Sequence, residues 1–422
     1  MPTQSVENLV EDWPPSSGPT NLSEVSNAGL KGSFRYVKIM WVGLANDVQE
    51  RILPCIAFVK ALEAEPRPNI RIGSAVFGYV AGSLAPGFGS SGSLYIVPYR
   101  DSIRSYPYED GVASVFAWIE QINVPPESHR ASPYCPRSLL HKVVHNARVR
   151  TGIEFLVGFE TEFILLKSTE PPIKVTNQYG FNSTNALRAG SEQAVILREI
   201  ADSLIAGGIE LLAFHSEAAP DQYEVVTGPL PPLEAADALV YTRETIMHVA
   251  NRHGYRATLS PRVSENFPGS GAHAHISVLP LGEPITTTSE GASGPTPVEA
   301  SFLSGVLEHL AALQVLMQPL PASFERVQDG LWAGGTWAAW GTENKELAIR
   351  FIEDTTGGSQ RFEVRGIDGT SNPYLALAGI ISAGFTAVQC NTPLLVKDLK
   401  SGSPSTLDDS ERKALGITTR LC

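Results

Sequence analysis

The sequence predicts an α+β protein built from two domains, and three observations carry that prediction. Its 422 residues exceed one average domain and suffice for two sizeable cores. From residue 33 to 125, short alternating apolar runs are separated by Gly, Ser and Pro turns, the mark of a small strand-rich unit. From residue 126 to 422, strand-like runs are interleaved with longer helical periodicities. Residues 1–32 precede both as a flexible arm.

The arm begins "MPTQSVENLVEDWPPSSGPT", polar, acidic and rich in Pro and Ser, without the basic start and apolar run of a secretory signal. "SFRYVKIMWVGL" (33–44), "SLYIVPY" (93–99) and "VASVFAWI" (112–119) read as strands, with turns in "GSLAPGFGSSGS" (82–93). A Pro-containing connection, "NVPPESHRASPYCPRS" (123–138), leads into "SLLHKVVHNARVRTG" (138–152), whose apolar spacing and closing Gly152 read as a helix. Longer helices follow at 231–254 and 372–390, and "TTTSEGASGPTP" (286–297) reads as a polar surface loop. The chain shows no internal repeat.

With 43% hydrophobic and 18% charged residues, the composition is that of an ordinary soluble globular protein. No apolar stretch of the roughly 20 residues that span a bilayer is read, so no membrane partner is expected. A net charge of -12 argues against nucleic acid, because phosphate-backbone binding needs a basic surface. Small anions remain open to a local basic cluster or to metal ions. Cys55, Cys135, Cys390 and Cys422 are scattered without Cys-x-x-Cys spacing, which fits a reducing compartment, the cytoplasm.

Within the larger unit, "LVGFETEFILL" (156–166) reads as a buried strand, yet it carries Glu160 and Glu162 on one face. Two unpaired buried carboxylates would be very costly, so they need compensation. Three further elements carry suitable groups. "HSEAAPDQYEVVTGP" (215–229) has Glu217 and Glu224 around a turn. "GSGAHAHISV" (269–278) puts His273 and His275 on one face after two glycines. "QRFEVRGID" (360–368) alternates Arg361, Glu363 and Arg365. Each alone reads as a solvated face or a charge ladder. Together, carboxylates and imidazole form a ligand set for Mg²⁺ or Mn²⁺, and arginines bind phosphate oxygens in a fork. The chain lacks a Gly-x-x-x-x-Gly-Lys-Ser/Thr loop, so metals and arginines would have to hold a nucleotide.

"GFETEF", "HSEAAPDQYEV", "GSGAHAHIS", "ENKELAIR" and "RFEVRGIDGTSNPYLALAGIISAG" resemble, in the same order, signature segments of the glutamine synthetase family. The likeness extends to "HVANRHGYRATLSPRV" (248–263), "PRSLLHKVV" (136–144) and, more weakly, to 33–51, with Asn372-Pro373-Tyr374-Leu375 a specific motif. The resemblance implies an N-terminal β-grasp domain, a catalytic domain with a curved antiparallel sheet, and a ring-shaped homo-oligomer, a decamer or dodecamer. It implies one divalent ion on Glu162, Glu217 and Glu224, another on Glu160, His273 and Glu363, and so answers what compensates Glu160 and Glu162. It places His275, Ser277, Arg350 and Arg361 toward ATP, and Arg326, Lys345, Arg350, Arg361 and Arg365 toward the acidic substrate and phosphates.

The implied activity is an ATP-dependent ligase that activates the glutamate γ-carboxylate as an acyl phosphate and passes it to ammonia or an organic amine. The alternatives are a catalytically quiet oligomer with a signalling or structural role, and phosphoryl transfer to another acceptor. Four positions depart from the family pattern. Gly43 stands for an aspartate, Pro268 for an asparagine, Lys345 for an arginine, and Trp332 for the glutamate that closes over the site and helps hold ammonium. An aromatic wall at Trp332 suits an organic amine better than ammonium.

Overall fold

The strand runs become the two main sheets of a computed structural model. It describes residues 27–64, 68, 70–80, 82–122, 124, 130–168, 178, 180–281, 294–353 and 360–421. Most of the expected arm, residues 1–26, lies outside these, as do residues 286–293 of the polar loop. Residues 27–32 of the arm belong instead to a helix, α1 (Asn27–Ser33). The chain divides into two compact units, one ending at Leu139 and one running from Leu140 to Cys422, where the sequence reading drew the line after residue 125.

The first unit continues with β1 (Tyr36–Val42), β2 (Val48–Pro54), α2 (Cys55–Leu62), β3 (Arg71–Gly73), β4 (Tyr79–Val80), β5 (Ser83–Leu84), β6 (Ser93–Pro98), β7 (Arg104–Ser105) and β8 (Val112–Gln121). Its six-stranded sheet runs β2-β1-β8-β6-β3, with β7 also on β8. Only the β1–β8 pair is parallel. Val37, Ile39 and Trp41 of β1 and Val115, Ala117 and Ile119 of β8 pack with Phe58 and Val59 of α2 into one core. Alternation delivers those side chains to a single face. Gly43 lies in the β1–β2 turn, its N–H bonded to the Asp47 carbonyl at 2.9 Å.

The boundary falls inside α3 (Pro136–Thr151), which closes at Gly152 with φ +66°. The second unit holds β9 (Ile153–Leu166), α4 (Glu192–Ala206), β10 (Leu211–Ser216), β11 (Gln222–Thr227), α5 (Pro232–Arg252), β12 (Arg256–Thr258), β13 (Ala274–Pro280), α6 (Pro297–Met317), α7 (Pro321–Arg326), β14 (Trp340–Thr342), β15 (Ile349–Ile352), β16 (Arg361–Val364), α8 (Pro373–Cys390) and α9 (Asp409–Ala414). Asn372 caps α8, its side chain accepting from the Tyr374 and Leu375 N–H groups, and Pro373 opens the helix. The eight-stranded sheet runs β10-β11-β9-β13-β16-β15-β14, with β12 also on β9. It is antiparallel except between β14 and β15.

Among the described residues two helices, α6 and α8, are by length and composition long and apolar enough to cross a membrane, which corrects the reading that no such run exists. They pack on one another, and 50% and 61% of their apolar windows are buried inside the protein. A Cβ on Gly305 of α6 would lie 2.3 Å from the Ala383 carbonyl oxygen of α8, so the glycine is what permits their crossing.

Candidate active site

The site is set by register. On β9 the pleat sends Phe159, Thr161 and Phe163 into the interior and turns Glu160 and Glu162 to the other face. Glu162 pairs with Glu224 of β11, which pairs with His215 of β10. Across β13, His275 pairs with Glu363 of β16, which pairs with Arg350 of β15. Pairing therefore gathers acids and imidazoles from five strands on one face, although they lie far apart in the chain.

Two clusters result, Glu160 with His275 and Glu363, and His215 with Glu217 and Glu224, in each of which the donor atoms lie within 4.8 Å of one another. His275 Nε2 is 2.9 Å from Glu160 Oε1, and His273 Nδ1 is 3.0 Å from Glu160 Oε2 and 3.3 Å from Glu363 Oε1. His273 precedes the first residue of β13 and joins this cluster from its edge. In the second cluster, His215 Nε2 is 3.2 Å from Glu224 Oε1, and its Nδ1 is 3.9 Å from Glu217 Oε1. Glu162 sits between the clusters. Its Oε2 accepts from Gly271 N–H at 2.9 Å and Gln222 Nε2 at 3.2 Å, and its Oε1 is 3.9 Å from His273 Nε2.

Electrostatics separates these acids. Burial disfavours charge on Glu160, but hydrogen bonds to His273 and His275 outweigh it and hold that carboxyl well below its ordinary value. Burial likewise opposes charge on Glu363, and Arg365 and His273 overcome it. Glu217 goes the other way, pushed up to about 8 by burial and by the like charges of Glu162 and Glu224. Burial also raises Glu224. The hydrogen bond to Glu224 lifts His215 to about 9. Oxygen-rich, acid-heavy and crowded with like charge, this donor set fits hard divalent cations.

Cations border the second end of the row. Arg350 Nη1 lies 3.1 Å from Glu363 Oε2, and its Nη2 lies 2.7 Å from Glu343. Arg365 Nη1 pairs with Glu363, and its Nη2 donates to the Trp332 carbonyl at 2.6 Å. Arg361 Nε donates to His275 Nδ1 at 3.2 Å. Trp332 itself is 68% exposed and holds φ +53°. Its loop is clasped at the neck, because the Asp329 carboxylate accepts from Thr336 N–H at 3.0 Å and Thr336 Oγ1 at 2.8 Å. Glu346 takes the Gly330 N–H at 3.1 Å.

Residues 133–418 match the family model described as glutamine synthetase, catalytic domain. The chain belongs to the glutamine synthetase catalytic-domain family. Protein fluG of Emericella nidulans is 32% identical over 419 residues, covering 96% of this chain, which spans 45% of that longer protein. Gamma-glutamylpolyamine synthetase GlnA3 of Streptomyces coelicolor is 33% identical over 333 residues, 77% of this chain and 69% of that protein. A crystal structure of a novel glutamine synthase homolog superposes with a TM-score of 0.73 at 25% identity, covering 86% of this chain and 84% of that one.

For a glutamine synthetase relative, the remaining candidate residues are unevenly disposed. Ser277 is buried on β13, where it pairs with Leu156. Lys345 is exposed. Arg326 is 2% exposed, and its Nη2 donates to the carbonyls of Arg365 and Gly366, both at 3.0 Å, and of Ile367 at 3.3 Å. In this arrangement Arg326 fixes the turn that carries Arg365. Three contributors escaped the sequence reading. His215 could have been found by its spacing of two from Glu217. Gln222, which holds Glu162, and Glu343, which holds Arg350, give no local signal.

Proposed function

We propose that this chain is an ATP-dependent carboxylate-amine ligase of the glutamine synthetase type. What supports the reading is the convergence of two carboxylate-imidazole clusters and three arginines on one sheet face within a family-matched fold. Glutamate is the proposed acid. Its γ-carboxylate attacks the γ-phosphorus of ATP, ADP leaves, and an acyl phosphate forms; the amine then attacks the carbonyl, phosphate departs, and the nitrogen loses a proton.

Glu162, Glu217 and Glu224 would hold one Mg²⁺ or Mn²⁺ ion, and Glu160, His273 and Glu363 the other, with His215 and His275 beside them. When bound, such ions neutralise the charge of the transferring phosphoryl group. His275, Ser277, Arg350 and Arg361 are proposed to bind the nucleotide, and Arg326, Lys345, Arg350 and Arg365 to orient the acid, with Arg326 acting through the turn it fixes. The first unit is proposed to be the β-grasp domain, the working form a ring of identical chains, and the compartment the cytoplasm.

The proposed acceptor is an organic amine rather than ammonia. Gly43 and Trp332 supply no carboxylate, and of the two nearby acids that could replace one, Glu325 and Asp329, the second has both oxygens bonded to Thr336. An indole instead offers apolar contact and a cation–π face. The test is phosphate release from ATP with glutamate, comparing ammonium with alkyl and aromatic amines, in wild type and Trp332→Glu. Organic amines should win in wild type and lose ground to ammonium in the variant. Clear preference of the wild type for ammonium would refute the acceptor and leave the ligase standing.

A further inference from the structure

The neck of the Trp332 loop is gripped from outside as well as from within. Asp329 takes the N–H and the hydroxyl of Thr336. The carbonyl of Thr336 accepts the Leu421 N–H at 2.8 Å, and Ala338 N–H donates to the Thr419 carbonyl at 2.9 Å. Residues 419–421 thus run antiparallel to 336–338, with Arg420 opposite Trp337. The C-terminal segment is itself anchored. Ile417, 2% exposed, packs with Ala339 and Leu347, and the Arg412 guanidinium lies 4.7 Å from the centre of the Trp337 ring.

Leu421 also reaches under the loop. With Val327, Gly334, Gly335 and Gly366 it lines a cavity of about 10 Å³, the room of a single water molecule, so the leucine leaves little slack beneath the neck. On the other side the loop meets Arg365. A Cβ on Gly334 would lie 3.3 Å from the Arg365 Cβ, and Arg365 Nη2 donates to the Trp332 carbonyl at 2.6 Å. Trp332 itself is held at φ +53° with its ring exposed, so its own burial contributes little to keeping it there. Such a conformation persists only where the surrounding structure over-determines it.

We propose that Leu421 is a positioning residue: its N–H and side chain hold the Trp332 loop against Arg365, and through that loop the C-terminal strand sets the choice of amine without touching the amine. The effect on amine choice rests on the ligase reading, whereas the hold on the loop does not.

The experiment is hydrogen–deuterium exchange of the full chain, beside phosphate release from ATP and glutamate with n-butylamine or ammonium, in wild type, Leu421→Pro and Leu421→Met. Proline deletes the N–H, while methionine keeps it and nearly the same volume. The Gly330 and Thr336 amides should exchange about fivefold faster in Leu421→Pro, the effect of one lost hydrogen bond, with the amides of α8 unchanged. Discrimination of butylamine over ammonium should fall by a similar factor at an unaltered KM for ATP, and Leu421→Met should behave as wild type in both measurements. Unchanged loop exchange in Leu421→Pro, exchange raised equally in the loop and in α8, or a loosened loop with unaltered amine discrimination would each overturn the assignment. No phosphate release from wild type with either amine, while the loop still loosens in Leu421→Pro, would instead sink the ligase reading and leave the hold of Leu421 on the Trp332 loop standing.

Discussion

Glu162 is 8% exposed, holds two neutral hydrogen-bond donors, and faces further carboxylates on either side. A residue so placed is stabilised chiefly by positive charge that the surrounding side chains supply only in part. Glu162→Ala and His273→Ala should each weaken Mn²⁺ binding at least tenfold by calorimetric titration, and unchanged isotherms in both would remove these residues from the cation sites. The alternation of Glu160 with Glu162, and of His273 with His275, was legible in the sequence because a strand repeats every two residues. His215 was overlooked despite its spacing of two from Glu217, while Gln222 and Glu343 gave no signal, because the fold and not the local pattern brings them to Glu162 and Arg350.

At the scale of the element, the crossing of α6 on α8 is decided by small residues. Glycine within a helix is ordinarily a liability of about 1 kcal/mol against alanine. At Gly305 the sign should reverse, because the added methyl would meet the backbone carbonyl of Ala383, which has no rotamer to escape into. Gly305→Ala should therefore cost about 1–3 kcal/mol and lower the melting temperature by several degrees; an unchanged or higher Tm would show that the helices part without penalty. Helix α6 was not read from the sequence, whereas α3, α5 and α8 were, from apolar spacing at 138–152, 231–254 and 372–390. Their partners were not. The apolar character of α6 and α8 is that of any buried helix, and only the packed structure shows that a protein core encloses them.

The whole molecule divides later than the Pro-rich connection indicated. The Glu120–Ala131 bridge, Cys135 in the first core, and the Arg137 guanidinium 3.8 Å from the Trp118 ring tie the connection into the first unit. Prolines mark where regular structure stops, not where packing stops. If the site is completed by a neighbouring copy, as the family resemblance implies, sedimentation should give a species many times the mass of one 422-residue chain. A fully active monomer would contradict shared sites.

Trp332 brings a different kind of consequence. At φ +53° an L-residue other than glycine or asparagine is strained, by about 1–2 kcal/mol, and the ring recovers little of that because it is 68% exposed. The clasped loop enforces the conformation whatever side chain stands there. If Trp332 selects the acceptor as proposed, stability and selectivity are set against one another at a single position. Trp332→Asn should melt no lower than the wild type while losing discrimination among amines, the pattern of a residue kept for what it recognises despite its strain on the fold.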